Sequence, residues 1–190
     1  MRVVGGELKG RKLKTFKGSA IRPTTDKVRE AVFNILSPLL PVTRALDLYA
    51  GTGAMGIEAL SRGVKELFFV DTSPRAVSVI KDNLETLGLD SKTRVYKKDV
   101  KSAINSFSEN GVLFDLIFID PPYEAGLLMG TLGLIAGKND SDSILNPGGV
   151  IVTESSKRDP IDKESVPKSL ELIDSRRYGD NQINIFRLID

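Results

Sequence analysis

From residue 24 onward, short apolar runs alternate with amphipathic helical stretches separated by Gly, Pro, Asp and Ser. This alternation predicts an α/β fold built on a doubly wound, mostly parallel sheet. Two further observations support it. Leu113–Ile119 is strongly apolar, as expected of a central strand covered on both faces. Leu170–Arg177 and Gln182–Leu188 alternate around Tyr178-Gly179-Asp180-Asn181, the pattern of a terminal antiparallel hairpin. Five strands with helices between them and a hairpin make seven strands, with an antiparallel strand expected at one edge.

The elements follow in order. Thr24 or Thr25 can cap a helix whose positions Val28, Ala31, Val32, Ile35 and Leu36 keep helical spacing and stop before Pro41. Ala45–Tyr49 reads as a buried strand, Gly51-Thr52-Gly53 as a tight turn, and Met55–Arg62 as a helix closed by Gly63. Glu66–Val70 is the second strand. Ser73-Pro74 opens a helix with Val77, Ile80 and Leu84 inward, ending at Gly88. Thr93–Lys97, a helix near Lys101–Ser108, Leu113–Ile119, a helix near Gly126–Ala136 and the strand Gly149–Thr153 complete the series.

The chain has 190 residues, with no His, no Cys and no Trp. Those absences exclude a disulfide framework, a thiolate nucleophile, Cys- or His-ligated metals and a Ser-His-Asp triad. Chemistry must come from carboxylates, hydroxyls, backbone groups, Lys and Arg, or a cofactor. The net charge of +2 hides an asymmetry: residues 1–30 carry nine basic and three acidic side chains, the remainder 18 and 22. An arm over 1–23 bearing Arg2, Lys9, Arg11, Lys12 and Arg22, with Lys27 just beyond, therefore precedes a mildly acidic domain over 24–190. Alternation in Arg2-Val3-Val4 and Arg11-Lys12-Leu13-Lys14 suggests short strands, and a structured basic arm suits a phosphate backbone. The amino terminus is too polar for a signal peptide and no apolar run approaches a membrane span, so a cytoplasmic location is expected.

Asp47-Leu-Tyr49-Ala50-Gly51-Thr52-Gly53-Ala-Met-Gly56 contains G-x-G-x-x-G between a strand and a helix. Alone, that pattern suits a dinucleotide or is simply a glycine turn. Asp47 decides between them. A carboxylate facing the loop repels a pyrophosphate but helps to bind the ammonium of S-adenosylmethionine (SAM). Asp71, followed by Thr72, lies 20 residues after Gly51, where an acid can hold both ribose hydroxyls. Asp99 can accept from the adenine amino group beside the Val100 amide, although a helix cap explains Asp99 equally well.

Asp120-Pro121-Pro122-Tyr123 follows the fourth strand. Two prolines stiffen the turn and remove two amide donors, leaving acceptors for an exocyclic amine. The Asp120 carboxylate and the Pro121 carbonyl can each take one N–H, and Tyr123 offers a face on which a base can stack. Methylation at pyrimidine C5 usually needs a cysteine adduct, which this chain cannot form. An amino-nitrogen acceptor needs no covalent intermediate.

The arm Met1-Arg-Val-Val-Gly-Gly6, Gly10-Arg-Lys-Leu13 and the block Arg22–Asn34 resemble the bacterial RsmD family of 16S rRNA guanine-N2 methyltransferases. Asp47–Gly56, Asp120–Tyr123 and Arg177-Tyr-Gly-Asp180 continue the resemblance across nearly the whole chain, with Asn181 where a hydroxyl residue is expected. The resemblance implies a class I SAM-dependent, Rossmann-like fold. It also implies methyl transfer to a guanine amino group and, as partner, 16S rRNA in the small ribosomal subunit or its assembly intermediate. It places the Arg22–Lys27 loop over the SAM site. A monomer without metal or membrane attachment is expected. The alternatives are a DNA adenine-N6 or cytosine-N4 methyltransferase, which usually carries an added sequence-reading domain, and a non-catalytic RNA-binding assembly factor. Protein glutamine methylation, which is associated with Asn before Pro-Pro, and NAD-dependent oxidation fit less well.

Overall fold

A computed structural model describes residues 1–16, 26–122, 126–137, 142–156 and 161–189. Seven strands form one sheet: β1 (Arg44–Leu48), β2 (Glu66–Asp71), β3 (Thr93–Lys97), β4 (Phe114–Ile119), β5 (Leu145–Ser156), β6 (Leu170–Tyr178) and β7 (Asn181–Leu188). Their order is β3-β2-β1-β4-β5-β7-β6, with β1 to β5 parallel and β7 antiparallel to both β5 and β6. The antiparallel strand is therefore one place in from the edge, not at it. β7 pairs with β5 over seven residues, from Val150↔Arg187 to Ser156↔Asn181, and leaves β6 outermost. The last strand is the apolar one, with Ile183, Ile185 and Phe186 fully buried, so it takes the inner position.

Among the described residues, five α-helices cover the sheet: α1 (Asp26–Leu36), α2 (Ala54–Ser61), α3 (Pro74–Leu87), α4 (Val100–Glu109) and α5 (Leu127–Ala136). Alternate strand residues serve the two faces. Ala45, Leu67, Phe69, Leu116, Phe118, Val150 and Val152 pack against α1, α2 and α3. Leu46, Leu48, Phe68, Val70, Ile117, Ile119 and Ile151 pack against α4 and α5. These two apolar layers on a parallel sheet are the expected doubly wound arrangement. Ser73 caps α3 by accepting from the Ala76 amide, Pro74 opens it, and Gly88 closes it at φ +69°. Val77 is only half buried; Ala76 and Asn83 join Ile80, Leu84 and Leu87 on its inner face. Residues 24 and 25, the expected cap of α1, lie outside the described residues.

Residues 1–16 of the basic arm are docked rather than trailing. Its two strand-like pieces reduce to one antiparallel bridge, Arg2 to Lys12. Val3 and Leu13 join the core on the α1–α3 side. Buried polar groups hold the backbone: Glu58 accepts from the Val4 amide at 2.8 Å, and Asn83 bonds both the amide and the carbonyl of Lys14. Ser61 Oγ donates to the Gly5 carbonyl and accepts from the Leu8 amide. Arg29 is fully buried and donates to the Arg2 carbonyl at 2.6 Å and to Asp26 at 2.9 Å. Among the described residues, no helix is long and apolar enough to cross a membrane.

Candidate functional site

Strand register brings the acidic positions to one end of the sheet. Leu48 aligns with Val70 and with Ile119, and Ile119 aligns with Thr153. The residues that follow are Asp71 on β2, Asp120 just past the end of β4 and Glu154 on β5, while Asp47, aligned with Phe69 and Phe118, sits two places earlier on β1. By strand parity Asp47, Asp71 and Glu154 belong to the face that carries α1, α2 and α3, and Asp120 comes two residues after Phe118 of that face, just past the strand end. This is the carboxyl edge, where open parallel sheets bind their ligands.

The glycine loop is shaped by positive φ. Gly51 at +56° and Gly53 at +75° turn the chain from β1 into α2, with the Gly53 amide donating to the Ala50 carbonyl at 2.7 Å. Gly56 has a different reason. A Cβ there would lie 2.4 Å from the Phe69 ring, so glycine lets α2 sit close on β2. Asp47 is buried and accepts from the Gly56 amide at 2.9 Å. Burial pushes its carboxyl up to about 8, with the Gly56 bond opposing and the nearby Asp71 charge adding to the rise. Asp71 binds the loop directly, its Oδ2 accepting from the Gly51 amide and its Oδ1 from the Ser73 amide, each at 2.8 Å. Thr52 anchors the same loop, its carbonyl accepting from Asn83, and Ala50 is buried beside it. Thr72 is exposed at the rim.

Several expected site residues have other work in the structure. Tyr49 lies just past β1 at φ +57°, and its ring turns toward α5 instead of the loop. Thr131 Oγ1 donates its one proton to the Leu127 carbonyl at 2.8 Å, so the Tyr49 hydroxyl is the donor in their 2.9 Å bond. The Tyr49 hydroxyl is thus committed within the fold. Asp99 is the side-chain cap of α4, and the Ser102 amide at 2.9 Å holds its carboxyl below the usual aspartate range. Val100 is buried as the first residue of that helix. Asp120 is exposed just beyond β4, Pro121 is buried and Pro122 exposed, while Tyr123 lies outside the described residues.

The cations of the arm divide in two. Arg2 pairs with Asp26 at 3.3 Å, and Arg11 donates to the Thr86 carbonyl at 3.2 Å. Lys9, Lys12 and Lys27 are exposed, and Arg22 lies outside the described residues. Phe16, in the arm, lies under the Arg75 guanidinium at 5.4 Å, at the start of α3 on the carboxyl edge.

The place of Glu154 at this edge is not legible in the sequence. It is 8% exposed and accepts from the Asn181 amide nitrogen. The apolar run ends at Thr153, which places Glu154 in a loop, whereas pairing with β7 carries β5 on to Ser156. The available signal was its parity with Val150 and Val152. Arg29 and Glu58 were also hidden, because a charged residue in an amphipathic helix normally faces water.

The family described as conserved hypothetical protein 95 matches residues 1–187. YlbH of Bacillus subtilis strain 168, described as a candidate rRNA methyltransferase, is 38% identical over 187 residues, 98% of each chain. Ribosomal RNA small subunit methyltransferase D of Haemophilus influenzae is 32% identical over 179 residues, 94% of this chain and 89% of its own. The solved structure of yhhF from Escherichia coli, described as a candidate methyltransferase, superposes with a TM-score of 0.86 at 30% identity, over 100% of this chain and 98% of that one. On a match spanning residues 1–187 and relatives that cover nearly the whole chain, this protein belongs to the conserved hypothetical protein 95 family, the RsmD family of rRNA methyltransferases.

Proposed function

We propose that this SAM-dependent rRNA methyltransferase transfers its methyl group to the N2 amino group of a guanine in 16S rRNA of the small ribosomal subunit. The observation that carries the reading is the register that sets Asp47, Asp71 and Asp120 along one edge of the sheet. The residues fit SAM. Asp47 is a buried carboxylate whose ionisation calls for a nearby cation, which the amino-acid ammonium provides. Asp71 offers a carboxylate to ribose hydroxyls, and the glycine backbone at 51 and 53 allows close approach.

SAM supplies an electrophilic methyl carbon on a sulfonium leaving group. The chain's own task is orientation, the main contribution to an in-line displacement between two bound partners. Asp120 and the Pro121 carbonyl accept the two N–H groups of the amine and aim its lone pair. When the N–C bond forms, the Asp120 carboxylate takes the surplus proton from nitrogen. Tyr123 stacks on the base, and Lys9, Lys12, Arg22 and Lys27 meet RNA phosphates, with Arg2 and Arg11 supporting the arm.

The test is labelled methyl transfer from SAM to naked rRNA, small subunits and duplex DNA, followed by digestion to nucleosides. N2-methylguanosine from rRNA or subunits supports the reading. N6-methyladenine or N4-methylcytosine in DNA overturns it, as does SAM binding without transfer to any of the three.

A further inference from the structure

We infer that Glu154 is a specificity-determining residue that accepts the N1–H of the target guanine while Asp120 holds its amino group. This rests on the guanine reading above and deepens it.

Three observations place Glu154 there. Ile119 aligns with Thr153 on adjacent parallel strands roughly 4.8 Å apart, and Asp120, just past the end of β4, and Glu154 are the residues that follow this pair. Glu154 continues the face of Val150 and Val152, the layer over which the Asp47 loop lies. A carboxylate after two inward valines departs from the apolar pattern, and such departures mark functional positions. Finally, Glu154 is 8% exposed, so its carboxylate is largely stripped of water, and Asn181 at the start of β7 donates to Oε1 and fixes its rotamer. Ser156 pairs with Asn181, which sets this end of the hairpin beside the carboxyl edge.

Base chemistry makes that position selective. A carboxylate only accepts. Guanine presents N1–H directly beside its amino group, so two adjacent acceptors match two adjacent donors. Adenine and cytosine each present a ring nitrogen lone pair beside their amino group, which a second carboxylate repels. A site built on a hydrogen bond to a substrate N–H rejects analogues lacking it far more strongly than shape does.

The experiment compares the wild-type protein with Glu154→Gln on small subunits in which the methylated guanine is replaced by 2-aminopurine. That base keeps the 2-amino group but has an acceptor at N1. The wild type is expected to favour guanine by about 100-fold in kcat/KM. Glu154→Gln, whose amide can donate to N1, is expected to cut that ratio by about tenfold or more, with SAM affinity within about twofold of wild type. An unchanged ratio overturns the inference, as does an equal loss on both bases, which marks a merely structural residue. Should Glu154→Gln fail to bind SAM, Asn181→Ala replaces it, with a fall in the ratio expected and no change refuting. Wild-type protein that makes no methylguanine refutes the guanine reading itself, a result distinct from either.

Discussion

Replacing Asp47 with Asn separates what this carboxylate does for the fold from what it does for the cofactor. The side chain is buried, its carboxyl pushed up to about 8 from the ordinary 3.8. Between those values the folded protein holds a proton that the unfolded chain releases. The stability associated with that proton is full below about pH 4 and is lost as pH rises toward 8. Asn keeps the shape and the acceptor for the Gly56 amide, bonded at 2.9 Å in the native protein, without this dependence. At about 1.4 kcal/mol for each pH step above the ordinary value, the variant gains a ceiling of about 4 kcal/mol at pH 7 and about 2 kcal/mol at pH 5. Urea denaturation of both proteins at the two pH values, without SAM, reads the difference directly. The variant should be the more stable, with a margin that widens by up to about 3 kcal/mol from pH 5 to pH 7. Its SAM affinity should fall by about tenfold or more, because a charge-assisted contact to the ammonium is lost. A margin that does not change with pH, or unchanged SAM affinity, refutes the reasoning.

Other perturbations test other parts of the molecule. Asp120→Ala should reduce methyl transfer by at least about 100-fold while SAM binding, read by calorimetry, stays within about twofold; full activity would remove Asp120 from the acceptor site. Lys9→Ala with Lys12→Ala should weaken rRNA binding and lower the slope of log affinity against log salt by about 1 to 2, leaving SAM binding alone. A slope equal to wild type would place the RNA surface elsewhere. Gly56→Ala should cost about 1–3 kcal/mol in thermal or urea unfolding, since its new methyl meets the Phe69 ring at 2.4 Å. A neutral result would show that α2 moves off β2 without penalty.

Much of this fold was readable because its instructions are local. Ser73-Pro74 starts a helix and Gly88 ends it through side-chain capping, a fixed proline φ and glycine's left-handed backbone, all settled within a few residues. The strands were legible from apolar runs, and the glycine loop from spacing. What escaped depends on partners distant in sequence. Tyr49 precedes the loop glycines and reads as part of the cofactor site, yet its hydroxyl is committed to Thr131, 82 residues away. Arg29 reads as a solvent-facing charge on an amphipathic helix, yet it is buried beneath Arg2 as the clamp that holds the arm to α1.

The sequence by itself determined the doubly wound class, the limits of α2 to α5 to within a residue or two, and the places of the glycine loop and the Asp-Pro-Pro motif at strand ends. Only the tertiary structure decided the order of the last two strands, the docking of the arm, and the place of Glu154 beside Asp120. The physical reason is range. Capping, turn geometry and hydrophobic period act along a few neighbouring residues. Strand order and the burial of a charge depend on which of several distant surfaces meet, and β7 pairs inside β6 because that contact buries the more apolar strand. The same pairing extends β5 to Ser156 and fixes Glu154, a residue that the local pattern leaves in a loop.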